Sequence, residues 1–198
     1  MARLLSYPLS ALYYLVFGSI LLLFDGLQRL CFLFGYQAHK KSVDVLNLFL
    51  LKCLNIIGTR FVFDMPFALE KNQSYIIVSN HQSTYDIPPL IWYFRKVHPK
   101  FVGKQELGKG IPSISFNLKH GGSVLIDRKN PKQAIEKIKA FGEQLAATRR
   151  SAVIFPEGTR SRNHEPRPFR YAGLMQLAKV MPNATLLGVT INHSWKIP

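Results

Sequence analysis

The pattern of hydrophobic and polar positions divides the chain into two parts. The first 58 residues are dominated by two long apolar runs, whereas from Arg60 onward short apolar runs alternate with longer amphipathic ones. Alternation of this kind is typical of strands and helices that follow one another in an α/β fold. We therefore expect an N-terminal helical segment over residues 1–58 and an α/β domain over residues 59–198.

The first apolar run predicts a long helix. Residues 4–24 carry no charge and are numerous enough to span a bilayer. Asp25 and Arg29 then interrupt the run at a spacing that lets them pair across one helical turn. The apolar pattern resumes afterwards, and Gly35 is a plausible end to the helix.

The second apolar run, residues 43–57, predicts another helix, with Ser42 as its N-cap and Gly58 as its end. Between the two runs, His39-Lys40-Lys41 reads as a basic turn. We interpret the whole as a two-helix hairpin lying in or on a membrane interface, with basic residues directed to anionic headgroups. A single membrane-spanning helix and a soluble helical cap are the alternatives.

The remaining residues predict a mainly parallel central sheet flanked by helices. For the longest of these helices, Asn130 is the expected N-cap and Pro131 the first residue. The predicted strands are residues 60–64, 75–79, 100–103, 123–126, 152–155 and 186–191, and the predicted helices are residues 87–96, 131–149 and 171–180.

Composition adds a preference for anionic partners. The chain has 26 Lys and Arg against 11 Asp and Glu, a formal net charge of +15. Nucleic acid, acidic lipids, phosphorylated substrates and acidic carriers would all fit such a charge. The basic residues are interleaved with strand ends and form no continuous helical stripe, which argues against nucleic acid. Cys31 and Cys53 lie in apolar stretches, which argues against a disulfide framework or a four-ligand zinc site.

The first candidate site follows the predicted strand at residues 75–79. His81 and Asp86 combine a group that accepts a proton near neutral pH with a carboxylate that can orient it. On one continuous helix, five residues apart, they would point away from each other. Pro88 and Pro89 fit only near a helix start, so His81 is expected on the preceding loop. Alternatively, Asp86 caps that helix, or forms a capping box with Ser83.

The second candidate site is residues 155–161, after the predicted strand at 152–155. Glu157, Gly158, Thr159 and Arg160 bring together a carboxylate, backbone N–H groups, a hydroxyl and a guanidinium. Such donors suit a phosphate group, although an ordinary turn with a solvated arginine would have the same composition. Ligands of open α/β sheets bind at the carboxyl ends of strands, so both sites are expected to face one crevice.

Lys104 and Arg128 also follow predicted strands and could add cations to this crevice, although isolated residues of this kind are more often solvated. Together these segments resemble the ordered motifs of the glycerolipid acyltransferases, over residues 80–191. The motifs are Asn80-His81-x4-Asp86, Lys104-x-Glu106-Leu107, Ile126-Asp127-Arg128 and Phe155-Pro156-Glu157-Gly158-Thr159-Arg160-Ser161. The segment Phe169-Arg170-Tyr171-Ala172-Gly173 is also similar to one of this family.

The resemblance implies transfer of a fatty acyl group from acyl-CoA or acyl-carrier protein to the sn-2 hydroxyl of lysophosphatidic acid. His81 would be the general base and Asp86 its orienting partner. Arg160, Lys104 and Arg128 would bind the substrate phosphate, while Glu157 and Gly158 would shape the loop or contact the glycerol. No metal or prosthetic group is implied.

The resemblance also implies monotopic association with anionic lipids, on the cytoplasmic face of a bacterial inner membrane. Activity on another lysophospholipid, or a non-catalytic basic membrane-binding module, are the alternative functions. Leu187-Gly188-Val189 stands where the family commonly has a second proline. The chain ends at Pro198, so a naturally short member and a fragment lacking a final helix and strand are both open.

Overall fold

A five-stranded sheet forms the centre of the protein. The computed structural model describes residues 2–161 and 165–197. The strands are β1 Tyr75–Ser79, β2 Pro99–Lys104, β3 Val124–Ile126, β4 Ser151–Ile154 and β5 Thr185–Val189. Their order across the sheet is β3-β2-β4-β1-β5, and neighbouring strands run parallel. The prediction of a parallel sheet flanked by helices is therefore confirmed.

Within the described residues, six α-helices surround or extend this sheet. They are α1 Ala2–Leu33, α2 Tyr36–Cys53, α3 Ile87–Tyr93, α4 Ile114–His120, α5 Pro131–Ala147 and α6 Tyr171–Val180. Short 3-10 turns at Leu54–Ile57, Thr84–Asp86, Arg95–Val97, Gln105–Gly108 and Ser194–Lys196 complete the described elements.

The central strands β1 and β4 are buried on both faces of the sheet. Neighbouring residues of a strand point to opposite sides, so Ile77 packs on one face with Leu90 of α3 and with Phe94, which follows that helix. Ile76 packs on the other face with residues of α5 and α6, among them Phe141. Burial on both sides explains why β1 reads as a continuous apolar run with no alternation.

Several sequence-based expectations about helix ends hold. The side chain of Asn130 accepts a hydrogen bond from the Gln133 N–H at 3.1 Å, as expected of the N-cap of α5. Gly35 and Gly58 have φ angles of 90° and 78°, in the left-handed region where glycine is least strained. Asp25 and Arg29 form the predicted pair, with 2.8 Å between Oδ2 and Nε.

The basic segment at residues 39–41 is helical, which corrects the prediction of a turn. α2 begins at Tyr36, and Ser42 is inside it, donating its hydroxyl to the His39 carbonyl instead of capping the helix. Lys40 pairs with Asp44 one turn later, an interaction that favours helix at these positions. The chain therefore reverses within two residues, Phe34 and Gly35, between α1 and α2.

Residues 60–64 are not a strand, which corrects a second prediction. Their β-rich composition is present, but no neighbouring strand is paired with them among the described elements. Phe63 instead stacks on Tyr93 of α3 with 4.3 Å between ring centroids. The segment, called the strap below, has no regular secondary structure and is held by side-chain packing. The sequence analysis also missed α4, whose 7 residues form about two turns and are too few for a clear periodic pattern.

Helix α1 is docked on the rest of the protein along its length. Tyr13 contacts Tyr85, with ring centroids 6.4 Å apart, and Phe32 contacts Phe116 of α4 at 5.7 Å. Midway, buried Ser113 donates its N–H to Asp25 at 2.7 Å and its hydroxyl to the Leu21 carbonyl at 2.7 Å. The opposite side of α1 exposes leucines, and Tyr7–Leu33 is the one described segment long and apolar enough to cross a membrane.

Candidate active site

The loop after β1 is tied to the segment after β5. Asn80 donates its side-chain amide to the Ile191 carbonyl at 2.8 Å and accepts from the Ile191 N–H at 2.7 Å. The side-chain amide of Asn80 thus bonds Ile191 in the way that a backbone amide of a paired strand would. These two bonds hold the segments after β1 and β5 together beyond the end of the sheet. This arrangement fixes the start of the segment that carries His81.

His81 and Asp86 are in direct contact, as the sequence predicted they could be. Nδ1 of His81 lies 2.8 Å from Oδ2 of Asp86, whose side chain is fully buried. The imidazole ring also stacks on Phe155, with 4.1 Å between centroids and an angle of 21° between the planes. Nδ1 is held by the carboxylate, which leaves Nε2 as the nitrogen able to exchange a proton with a substrate.

The capping alternative is present together with this contact. Oδ2 of Asp86 also accepts the N–H groups of Gln82 and Ser83, at 2.7 and 2.9 Å. The Ser83 hydroxyl in turn accepts from the Tyr85 N–H, which completes a capping box. One carboxylate oxygen therefore both starts the turn at Thr84–Asp86 and holds the histidine.

Glu157 joins the loop after β4 to the histidine loop. Its Oε1 accepts the N–H of His81 at 2.8 Å, and its Oε2 accepts the N–H of Arg167 at 2.9 Å. The residue is only 2% exposed. Both carboxylate oxygens are thus committed to backbone donors, a geometry that favours the loop-shaping role over contact with the glycerol.

Gly158, Thr159 and Arg160 continue this loop toward solvent. Gly158 has a φ angle of 69°, and its N–H closes a turn onto the Phe155 carbonyl at 2.9 Å. Thr159 and Arg160 are exposed. The next residue, Ser161, donates its N–H to the carbonyl of His81 at 2.7 Å. Arg160 therefore directly precedes the residue whose backbone contacts His81, the predicted base.

Lys104 and Arg128 lie at the same edge of the sheet but farther along it. β2 and β3 are two and three strands away from β1, which corresponds to roughly 10 and 15 Å at the usual strand spacing. Lys104 pairs with exposed Glu106 at 3.0 Å. Burial lowers the pKa of Arg128, with a further lowering by the charge of Arg170. Of these three cations, Arg160 is the one next in sequence to a residue whose backbone contacts His81.

Arg170 is a basic residue at this edge that the sequence analysis did not select. Its N–H donates to the Pro156 carbonyl at 2.8 Å, just before α6 begins. Its Cδ lies 3.5 Å from the position that a Cβ on Gly158 would occupy, so the side chain covers that glycine. The available signal was Phe169-Arg170-Tyr171-Ala172-Gly173, which we had related to the family without assigning the arginine a role.

The fold and these motifs define the class of protein. Residues 59–192 match the family model described as Acyltransferase, so the chain belongs to this acyltransferase family. The structure superposes on the 1-acyl-sn-glycerophosphate (LPA) acyltransferase PlsC from Thermotoga maritima with a TM-score of 0.72 and 20% sequence identity. The match covers 96% of this chain and 84% of that one, and shows a shared fold.

Two relatives indicate the branch of the family that the chain resembles. It is 41% identical over 93 residues to the 1-acyl-sn-glycerol-3-phosphate acyltransferase of Helicobacter pylori, covering 46% of this chain and 37% of the relative. It is 27% identical over 130 residues to the human 1-acyl-sn-glycerol-3-phosphate acyltransferase alpha, covering 66% and 45%. The chain therefore spans less than half the length of these relatives.

The double role of Glu157 leads to a prediction about local stability. In Glu157→Gln, one side-chain oxygen becomes an amide nitrogen that cannot accept a hydrogen bond, so either His81 or Arg167 loses its partner. An unpaired buried group costs about 1–3 kcal/mol. We expect faster amide hydrogen exchange in peptides covering residues 79–83 or 165–169, measured by mass spectrometry.

Glu106→Gln is the matched control. It replaces a carboxylate by an amide in the same way, but at an exposed position where no buried group loses its partner. Unchanged exchange around residues 79–83 and 165–169 in Glu157→Gln would contradict the bridging role.

Proposed function

We propose that this protein transfers a fatty acyl group from acyl-CoA or acyl-carrier protein to the sn-2 hydroxyl of lysophosphatidic acid, producing phosphatidic acid. The observation that carries the proposal is the contact of 2.8 Å between His81 and buried Asp86, beside the phosphate-suited loop of the neighbouring strand. The names of the relatives support the same acceptor, since both are acyltransferases of 1-acyl-sn-glycerol-3-phosphate.

The reaction follows from the orientation of the imidazole. Nε2 of His81 removes the proton from the acceptor hydroxyl as its oxygen attacks the thioester carbonyl, while Asp86 stabilises the imidazolium that forms. The tetrahedral intermediate then collapses, the C–S bond breaks and the thiolate takes the proton from Nε2. The acyl group moves directly between the two substrates, so this scheme uses no enzyme nucleophile, metal or prosthetic group.

The phosphate of the acceptor is the group that Arg160 is best placed to bind. Its fork of N–H donors matches phosphate oxygens, and the loop places it next to the segment that contacts the His81 carbonyl. Arg170 lies over Gly158 in the same loop and would add a second cation. Lys104 and Arg128 are farther along the edge and would bind an extended headgroup or the acidic acyl donor.

We also propose that α1 lies along the cytoplasmic surface of the membrane and does not cross it. A spanning helix would have to leave the α/β domain, whereas α1 contacts that domain from Tyr13 to Phe32. The face directed away from these contacts carries exposed apolar side chains, including Leu15 at 68% and Leu23 at 70%. Such a face suits insertion into one leaflet.

The catalytic pair can be tested by two substitutions. We expect His81→Ala to lower kcat by about 10²–10⁴, the usual contribution of a general base. In Asp86→Asn, the amide oxygen can still accept the three hydrogen bonds, but the negative charge that stabilises the imidazolium is lost. We therefore expect kcat to fall by about 10² or more with the fold intact. The measurement is thiol release from acyl-CoA in the presence of lysophosphatidic acid.

Asp64→Asn, at an exposed aspartate of the strap, is the control for loss of a carboxylate charge. Full activity in a folded His81→Ala protein would rule out the proposed mechanism.

The role of Arg160 makes a separate prediction about substrate affinity. We expect Arg160→Ala to raise KM for lysophosphatidic acid by about tenfold or more, because a hydrogen bond between charged groups contributes about 1.5–3 kcal/mol. Lys179→Ala removes one positive charge at the far end of α6 and is expected to leave KM unchanged. A fall in kcat without a rise in KM, or an equal effect on acceptors that lack the bare phosphate, would contradict the phosphate-binding role of Arg160.

The orientation of α1 can be measured by labelling its two ends. Tyr7 and Phe34 are about three-quarters exposed, at 76% and 75%. In a Cys31→Ser background, we expect Tyr7→Cys and Phe34→Cys each to react with a membrane-impermeant maleimide added to the same side of sealed vesicles. Reaction of the two positions from opposite sides would demonstrate a spanning helix.

A further inference from the structure

A pocket of about 250 Å³ opens at the edge of the sheet opposite His81, where the strands begin. Its walls come from the start of α2, the segments before β1 and β2, and the turn between α5 and β4. No acidic residue lines it within the described part of the chain. The chemically distinctive lining residues are Tyr36, Lys71, Lys96, His98, Arg149 and Arg150.

Part of this pocket is held rigidly by ring contacts. The Tyr36 ring stacks on His98 with centroids 5.8 Å apart, and its hydroxyl is 2.8 Å from Nδ1 of that histidine. The guanidinium of Arg150 lies 3.7 Å from the centre of the Tyr36 ring. A solvated surface arginine has no such support. The Arg150 donors are therefore positioned before any ligand arrives, which reduces the entropy lost on binding.

Positive charge is also concentrated behind the pocket. Lys100 is 8% exposed, and its side chain and that of Arg150 both approach Gly122. Burial lowers the pKa of Lys100 to about 7, with a further contribution from Arg150. The neighbouring carboxylate, Asp44, is bound to Lys40 at 2.5 Å. An anion in the pocket would favour the charged form of Lys100.

Arg149 is kept in the pocket at a conformational cost. It follows the end of α5 with a φ angle of 50°, in the left-handed region where glycine is normally preferred. A glycine at this position would end the helix equally well and with less strain. The charge of Arg149, next to Arg150, is the property that a glycine would lack.

We propose that this pocket is a second anion site that binds a phosphate group, separate from the acceptor site beside His81. Arginine forks and lysine ammonium groups around an acid-free wall are the donors that phosphate oxygens require. The site lies at the opposite edge of the sheet from the catalytic loop, so its existence does not depend on the proposed acyl transfer.

The phosphate could belong to a lipid headgroup or to a soluble compound. Leu33 and Phe34, immediately before Tyr36 and its pocket, are 79% and 75% exposed. Apolar side chains beside a basic pocket suit a phospholipid whose acyl chains stay in the bilayer while its headgroup enters the pocket. The experiment therefore includes both sources.

The test measures hydrogen exchange of the full-length protein at the pocket itself. One arm adds inorganic phosphate, with chloride at equal ionic strength as reference, to protein in nonionic detergent. The other arm compares nanodiscs of phosphatidylcholine with nanodiscs that also contain phosphatidylglycerol. We expect protection of peptides covering residues 35–38, 95–98 and 147–151 in at least one arm. Protection by phosphate in detergent identifies a soluble anion as sufficient, and protection only by the anionic nanodiscs identifies a headgroup.

Two variants make the result specific to the pocket. Arg149→Gly removes a charge while suiting the backbone angle, so the fold is expected to be at least as stable as before. Arg150→Ala removes the guanidinium held by Tyr36. We expect each to weaken the protection, raising the apparent Kd by about tenfold for Arg150→Ala. Lys179→Ala controls for net charge.

Absence of protection in both arms would overturn the proposal. So would protection that is equally strong in folded Arg149→Gly and in the Lys179→Ala control, because it would then reflect general attraction to a basic protein. His81→Ala is expected to leave the protection intact, which separates this site from the catalytic one.

Discussion

The geometry of the candidate active site depends on one carboxylate oxygen. Oδ2 of Asp86 accepts the N–H groups of Gln82 and Ser83 and contacts Nδ1 of His81, all within 2.9 Å. A buried charge needs several donors to offset its lost hydration, and the loop supplies them by folding around it. The carboxylate that holds the loop backbone thus also holds the His81 ring. A change in the loop conformation would therefore change the position of the ring.

The parallel sheet determines which other groups meet this loop. In a parallel sheet all strands end at one edge, so the segments after β1 and β4 are neighbours although they are more than 70 residues apart. Glu157 uses this proximity to bind the backbone of both His81 and Arg167. The loop that presents Arg160 is consequently fixed to the loop that presents His81. In the proposed mechanism, a fixed distance between His81 as base and Arg160 as phosphate-binding group would position the hydroxyl for attack.

Sequence reasoning reached the parts of this arrangement that have local causes. The contact between His81 and Asp86 followed from Pro88 and Pro89, which restrict where a helix can begin. The strand order, by contrast, depends on long-range pairing, and for that reason Lys104 and Arg128 could not be ranked against Arg160 beforehand. Arg170 was overlooked because a lone arginine before a helix has no distinctive pattern until Gly158 is seen beneath it.

The two errors had different origins. Residues 60–64 have the composition of a strand, but a strand also needs a neighbouring strand to pair with. This segment instead packs through Phe63, which stacks on Tyr93. The segment at residues 39–41 looked like a turn because it is polar between apolar runs, whereas Lys40 pairs with Asp44 inside α2. At residues 60–64 a tertiary contact outweighed a weak local tendency, whereas at residues 39–41 the pairing that favours helix is itself local, between Lys40 and Asp44.

The central claim is that the acyl group passes directly to the lipid hydroxyl, with His81 as base and no acylated protein. The most direct measurement follows thiol release and phosphatidic acid formation together, with intact-protein mass spectrometry during turnover. We expect one thiol released for each phosphatidic acid formed, release only when lysophosphatidic acid is present, and a protein of unchanged mass. Thiol release without the acceptor, accompanied by a protein heavier by one acyl group, would contradict this account.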